Sequence, residues 1–412
     1  MIYLKKEINM EEWKEYKLGE LYDVHNGLTK GGKFFGSGYP FLSFSTVFKN
    51  YFLPQELTNL VQSSEKEQSN FSINKGDVFI TRTSESADEL GMSSVALKDY
   101  PNATYNGFTK RLRPKGVVEI YPKYIGYYLR SPKFRYNFYG ITSSMSTRAS
   151  LSNGDLLNMI VILPPYATQQ KIANILSSLD DKIEVNRRIN EQLEELAGAL
   201  FKSWFVDFAP FKDGEFVDSE LVKLGSVINT TSGGTPSRKH MEYYSGNHGW
   251  VKSKELNGTF IIDTEETITD DAIAKSSAKL LPEKSILIAM YGATVGQYAV
   301  LSKPMTCNQA VCALLPNDDY PYTFLFMFAK NKKDELINKA VGSAQQNISQ
   351  ILIKDLDISN DTKKIKEYHK IVGPAFEIIL KNQQEIHHLT TLRDTLLPKL
   401  MSGEIDVNEV KI

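Results

Sequence analysis

Apolar residues recur through Gln169–Phe201 in alternating steps of four and three: Ile172, Leu176, Leu179 and Ile183, then Leu193, Ala197 and Leu200, with Trp204 just beyond. Asn186 and Asn190 fill the two steps between. A heptad seam kept up this long predicts one continuous helix whose apolar stripe needs a partner. The same rhythm returns at Tyr368, Val372, Ala375, Ile379, Asn382, Ile386, Leu389, Arg393, Leu396 and Leu400, with Asn382 standing against Asn186. Pro164 and Pro165 precede the first helix, with Thr168 as its expected N-cap ahead of Gln169. The second is expected to begin near Asp361 and Thr362, to kink or restart at Gly373-Pro374, and to stop at Gly403. Two seams of equal length, each about 50 Å long at 1.5 Å per residue, are expected to pair with one another, the Asn layers fixing register at some cost in stability.

Outside the helices the pattern shifts to short apolar runs between turn residues. "GDVFITR", "SSVAL", "MIVILP" and "SILIAM" read as strands, while "YPKYIGYYLRSPKFRYNFY" and "YPYTFLFMFAKNKKDELINKA" read as helices begun near a proline. These runs occur twice. "KLGELYDVHNGLT" (17–29) returns as "KLGSVINTTSGGT" (223–235), "NKGDVFITR" (74–82) as "PEKSILIAM" (282–290), "ATYNGF" (103–108) as "MTCNQA" (305–310), and "YPKYIGYYL" (121–129) as "YPYTFLFMF" (320–328). Pro114 matches Pro316, and Asp155-Leu156 is aligned with Asp355-Leu356. A unit this long is a duplicated module, not a solenoid repeat. The fold class is therefore α+β: two duplicated mixed units separated by two long helices that form an antiparallel coiled coil. The expected boundaries are 1–163 for the first unit, 164–206 for the first helix, 207–218 for a linker, 219–360 for the second unit, 361–403 for the second helix and 404–412 for a tail.

Composition narrows the class without naming it. At 412 residues, two or more domains are the default. Two cysteines argue against a disulfide framework and suit a reducing cytoplasm. No window reaches the apolar length of a membrane span, and the first residues do not read as a signal peptide. The net charge of -1 conceals local asymmetry. From Ala103 to Arg148 nine basic residues face one acid, Glu119, and ten aromatics lie among them. Such interleaving is what a surface following a phosphate backbone uses, although a buried aromatic core with a charged rim reads the same way.

Catalytic chemistry is hard to find. Of six histidines, His369, His387 and His388 lie on the second helix and read as surface residues. Cys307 and Cys312, five apart on one expected strand, would point to opposite faces and share no metal. "LPPY" (163–166) has a Leu where a methyltransferase loop needs an acid or amide, and no Gly-rich cofactor loop follows a strand. "GGKFFGSG" (31–38) fits neither nucleotide-binding spacing and reads as a flexible basic loop. The readings left open are a scaffold that binds nucleic acid without catalysis, a coiled-coil adaptor that binds only proteins, and a self-sufficient methyltransferase.

The central block "LPPYATQQKIANILSSLDDKIEVNRRINEQLEELAGALFKSWF", together with "TSGGTPSRKHMEYY", "GNHGWVKSKEL", "GATVGQYAVL" and "VGSAQQNIS", resembles the specificity subunit of type I restriction–modification enzymes over essentially the whole chain. The second helix departs from the pattern, beginning "DISNDTKKIKEYHK" instead of with a Pro-Pro and Gln-Gln start. The resemblance implies two target-recognition domains, each reading one half of a split, asymmetric double-stranded DNA target. It implies paired helices that set the gap and dock two methyltransferase subunits, with restriction subunits (an ATP-dependent translocase and nuclease) completing the complex. S-adenosylmethionine, ATP and magnesium would then serve the partners and not this chain. Two readers on one face of a duplex sit roughly a helical turn, about 34 Å, apart. For phosphate contacts the first unit offers Lys30, Lys33, Arg82, Lys110, Arg111, Arg113 and Arg148, and the second Thr235, Arg238, Lys239, Lys252 and Lys254. Gln345, Gln346 and Asn347 suit adenine edges, where an amide bonds bidentately.

Overall fold

The computed structural model describes residues 13–83, 90–142, 151–207, 220–340, 347–408 and 410. They gather into two compact units, one of residues 1–181 with 389–412 and one of residues 182–388. Each long helix is thereby shared between units.

The first unit runs β1 (Lys14–Lys17), α1 (Leu18–Leu21), β2 (Tyr22–Asn26), β3 (Phe35–Leu42), α2 (Phe44–Lys49), β4 (Leu60–Val61), α3 (Glu65–Asn70), β5 (Val78–Thr81), β6 (Ser93–Val95), β7 (Thr104–Tyr105), β8 (Thr109–Pro114), α4 (Pro122–Arg130), α5 (Pro132–Thr142), α6 (Asn153–Asn158) and β9 (Ile160–Leu163), and then enters α7 (Tyr166–Phe205). The second runs β10 (Leu221–Lys223), α8 (Leu224–Val227), β11 (Asn229–Ser232), β12 (His248–Val251), β13 (Phe260–Ile261), β14 (Thr267–Ile268), α9 (Asp270–Ala274), β15 (Ile286–Ala289), β16 (Tyr298–Leu301), β17 (Thr306–Cys307), β18 (Val311–Leu315), α10 (Tyr322–Asn338), α11 (Gln350–Lys354) and β19 (Asp357–Ser359), and enters α12 (Thr362–Ser402).

The duplication holds in both sheets, with β13 answered in the first unit by an isolated bridge between Phe52 and Val95. Sheet order is β2-β8-β5-β6 in the first unit and β11-β18-β15-β16-β13 in the second; a smaller sheet is β4-β3-β7 in one and β14-β12-β17 in the other. Even the odd parallel pairings recur, β3 with β7 and β12 with β17. The central strands β5 and β15 are buried along their whole length, which is why they are continuous apolar runs and not alternating ones. One part of the alignment shifts. Leu18 N–H donates to Met159 O in the first unit and Leu224 N–H to Leu356 O in the second, each at 2.9 Å, so Met159 corresponds to Leu356. Asp155-Leu156 then lies over Leu352-Ile353, three residues before Asp355-Leu356. The recurring Asp-Leu letters mislead because the buried position, Leu156 or Ile353, and the N-cap, Ser152 or Ser349, define the helix.

The helices pair antiparallel, as the heptads predict. Asp180 meets Arg393 (2.7 Å), Asn186 meets Glu385 (2.7 Å), Asn190 meets Asn382 (2.8 Å) and Tyr368 donates to Ala197 O (3.0 Å). Ile172, Leu176, Leu179, Ile183, Asn186, Val372, Ile379 and Ile386 are buried; Leu193, Leu200, Asn382, Leu389 and Leu396 are half-buried. The seam does more than join two helices. Ile172, Ala173 and Leu176 with Leu397, Leu400 and Met401 belong to the first unit's core, and Ala197 and Phe201 with Tyr368, Val372 and Phe376 belong to the second's.

One helix end and one expected break differ from the sequence reading. Helix α7 begins at Tyr166, so Thr168 lies inside its first turn and is not its cap. The start is fastened by Gln169, buried, whose Nε2 donates to Pro164 O (2.9 Å) while its Oε1 accepts from Tyr121 N–H (2.9 Å). Helix α12 begins as expected, Asp361 Oδ1 accepting from Lys364 N–H (3.0 Å), and Gly403 adopts φ 70 beyond its end. It passes unbroken through Gly373-Pro374. Proline removes one hydrogen bond, but Pro374 is exposed while Val372 and Phe376 on either side are buried, so packing holds the turn.

Candidate nucleic-acid interface

In each unit a loop leaves the large sheet, from β2 to β3 or from β11 to β12, and is seated by glycines against a turn from the small sheet. A Cβ on Gly27 would lie 2.1 Å from Asn106 O, and one on Gly233 2.1 Å from Cys307 O; neither position admits a side chain. Asn106 Oδ1 accepts from Phe108 N–H (2.7 Å), and Asn308 Oδ1 from Ala310 N–H (3.2 Å), so the same Asn-built turn stands behind both loops. Thr235 Oγ1 reaches Gln309 Oε1, and Trp250 Nε1 donates to Gly234 O (2.9 Å). The "GGKFFGSG" run is not a flexible loop: its second half is the start of β3, where Gly36 and Gly38 take positive φ and Phe35 and Tyr39 both stand opposite Val61 across a bulge.

The cations expected at DNA divide into three groups. Lys33 and Lys239 are exposed, and Lys33 lies 5.2 Å from the Phe34 ring centroid. Lys30, Arg238, Lys252 and Lys254 are at the surface but held by acids: Lys30 by Glu67 (2.8 Å), Arg238 by Glu266 (2.6 Å), Lys252 by Glu265 (2.9 Å) and Lys254 by Glu265 (2.7 Å). The third group is turned inward. Arg113 donates to both carboxylate oxygens of Asp77 (2.8 and 2.6 Å). Arg111 is 4% exposed, donates to Ser72 O (2.7 Å) and lies 5.4 Å from the Tyr105 ring centroid. Burial pushes its pKa down. Arg111 and Arg113 are thus fixtures of the domain and not free phosphate ligands, because they compensate polar groups inside the fold. Arg130 and Arg135 do likewise: Arg130 donates to the carbonyls of Ser93, Val47, Phe48 and Asn50, and Arg135 to that of Leu90. Five basic residues of the Ala103–Arg148 stretch, Lys110, Arg111, Arg113, Arg130 and Arg135, are therefore engaged within the fold, while Lys115 and Lys133 are exposed.

Lys110 sits between these groups. It is buried, its Nζ donating to Asn153 Oδ1 and, at 3.4 Å, to Asn26 Oδ1, and burial followed by the charge of Arg82 holds its pKa below the usual lysine range. Arg82 Nε is buried with no hydrogen-bond partner among the described residues. Its backbone N–H donates to the carbonyl of Phe108 (3.0 Å), whose side chain is 59% exposed. The matching place in the second unit is Met290, buried, whose N–H donates to Ala310 O (2.8 Å); the next residue, exposed Tyr291, is bridged to exposed Asn347. Arg148, Gln345 and Gln346 lie outside the described residues. Sequence reasoning passed over Glu67, Glu265 and Glu266, whose roles depend on strand pairings no local motif announces.

Among the described residues, no three His, Cys, Asp or Glu side chains gather to hold a metal. Cys307 and Cys312 lie on two strands, β17 and β18, and not on one; both are buried, which pushes their thiols up to about 12. His387 and His388 are exposed, but His369 is not a plain surface residue: it is half-buried, its Nδ1 2.9 Å from Thr323 Oγ1, and burial lowers its pKa. No helix among the described residues is long and apolar enough to cross a membrane.

Known proteins place the chain. The type I restriction modification DNA specificity domain matches residues 10–195 and again 217–360. The type I restriction enzyme MjaIX specificity subunit of Methanocaldococcus jannaschii is 28% identical, covering 97% of this chain and 95% of its own length. The HindI specificity subunit of Haemophilus influenzae is 27% identical, covering 96% of this chain and 100% of its own. Among solved structures, the S subunit of a type I restriction–modification system from M. genitalium shares the fold, with a TM-score of 0.61 over 97% of this chain and 98% of that one at 16% identity. The chain thus belongs to the type I restriction–modification DNA specificity family and carries that family's recognition domain twice.

Proposed function

We propose that this chain selects the DNA target of a type I restriction–modification complex. Each unit reads one half of a bipartite, asymmetric double-stranded sequence, and the helix pair sets the gap and docks two methyltransferase subunits. The observation that carries this reading is the loop built twice on one glycine-and-asparagine frame but bearing different side chains, Lys30 and Lys33 in one copy and Thr235, Arg238 and Lys239 in the other. A common frame supplies the same approach to the backbone, and different side chains supply different half-sites. Restriction subunits join the same complex. S-adenosylmethionine, ATP and magnesium act in those partners, and this chain contributes recognition without bond-making. The compartment is the cytoplasm, where such complexes meet DNA.

The test is salt-dependent affinity. Replacing Lys33 and Lys239 by Gln in the full chain is expected to weaken duplex binding and to flatten the slope of log affinity against log salt by roughly 0.9 for each phosphate left unneutralised. The target sequence should stay the same, because these contacts position and do not specify. An unchanged slope would remove both loops from the interface.

A further inference from the structure

In both units a cation of the basic loop is held by an acid close in sequence to the edge strand of the small sheet, Glu67 six residues after β4 and Glu266 directly before β14. In the first, Lys30 donates to Glu67 Oε2 (2.8 Å) and to Gln62 O (2.5 Å), and Glu67 is fixed by accepting from Ser64 N–H (2.8 Å) at the start of α3. In the second, Arg238 forms a two-pronged pair with Glu266 (2.6 and 3.2 Å), while its guanidinium lies 3.9 Å from the Tyr244 ring centroid. Lys252 and Lys254 share Glu265 (2.9 and 2.7 Å), and Lys252 also reaches Glu266 (3.6 Å). The acids are set by backbone: Trp250 N–H donates to Glu266 O (3.0 Å), and Glu265 N–H donates to Glu255 Oε1 (2.8 Å). The acids stand at different places along the two copies, yet in each a cation of the loop between the large and small sheets is paired with a carboxylate.

We propose that Glu67, Glu265 and Glu266 are specificity-determining counter-charges, which occupy the loop cations in place of phosphate until a matched target displaces them. This rests on the DNA-reading proposal above. Non-specific DNA offers only phosphates, and phosphates must compete with carboxylates already at ion-pair distance. A matched site adds base contacts that make the exchange favourable. The Arg238–Glu266 and Lys254–Glu265 pairs are exposed and individually weak, and the Lys30 and Lys252 pairs are more covered; four cations withheld at once reduce the sequence-independent component that dominates off-target binding. The carboxylates thus lower affinity for every sequence, so that at a given concentration near-matches go unoccupied while the matched site, with its base contacts, is still bound.

The experiment compares the full chain, in complex with its co-purifying subunits, with the triple variant Glu67→Gln, Glu265→Gln, Glu266→Gln. Gln at position 67 preserves the helix-capping role. A charge control replaces Glu56, Glu283 and Asp318 by Gln, Gln and Asn; these acids are exposed and form no ion pair among the described residues. The probe is a random-sequence duplex, read by affinity across a salt series, with methylation mapping alongside. The triple variant is expected to bind that duplex about tenfold more tightly, with a slope steeper by roughly 0.9 for each further phosphate neutralised. The control should not change, and the variant should methylate its motif while spilling onto near-matches. Equal behaviour of triple variant and control, or no change in slope, overturns the counter-charge role while leaving the DNA reading intact. A wild-type complex with no salt-sensitive DNA binding overturns both. The single change Glu265→Gln, at a half-exposed carboxylate, repeats the measurement with the least effect on folding and is expected to move in the same direction.

Discussion

Asp77 lies in the first unit with its side chain 1% exposed, and its charge is met by Arg113 across the sheet. It also accepts from Asn74 N–H (2.8 Å), so the carboxylate closes the turn into β5 as well as pairing with β8. Replacing Asp77 by Asn removes the charge, keeps the shape and leaves Arg113 without its counter-charge, its remaining bonds being those to Ser72. Breaking a buried pair from one side is expected to cost about 3 kcal/mol of unfolding free energy, read by denaturant titration. A loss below about 1 kcal/mol, the range of a surface pair, would show that water serves Arg113 equally well. This pair also shows why charged residues were the least legible part of the sequence. "TKRLRP" reads as a solvated basic strand until Asp77, 36 residues earlier, is set beside it. The glycines were more informative, since a close approach of backbone to backbone leaves only one residue type possible.

At the level of elements, the long helices were almost fully legible, because a heptad is a local signal repeated many times. The departures are at ends and breaks: Thr168 is not the cap its position suggests, and Gly373-Pro374 does not interrupt the helix. Both are places where tertiary packing decides. The Asn layers carry a further consequence. Asn382 Nδ2 donates to Asn190 Oδ1, but Asn190 Nδ2 is buried and has no partner among the described residues. Converting both to Leu removes that unmet donor and extends the apolar seam. The double variant is expected to be more stable by about 1–2 kcal/mol, measured by thermal or chemical unfolding, while register is less tightly defined. A destabilised double variant would mean that the amide pair itself is needed to hold the helices together. The polar layer at Asn186 and Glu385 would then be insufficient to fix register alone.

At the scale of the whole chain, the duplication is what makes the function legible. Two copies of one frame, each sharing in the same two long helices, are the economical way to read two unlike half-sites with one polypeptide. The paired acids and the inward turn of Arg111 and Arg113 were not legible, since both come from contacts made only after the sheets assemble. The most direct test of the central claim is single-molecule methylation mapping in cells carrying the chain with its methyltransferase. Residues 14–163 would be exchanged for the corresponding segment of another specificity subunit. A split motif in which one half changes while the other half and the gap persist is the predicted result. A complex that still methylates DNA but alters both halves together, or shows no motif, would contradict the assignment of one half-site to each unit.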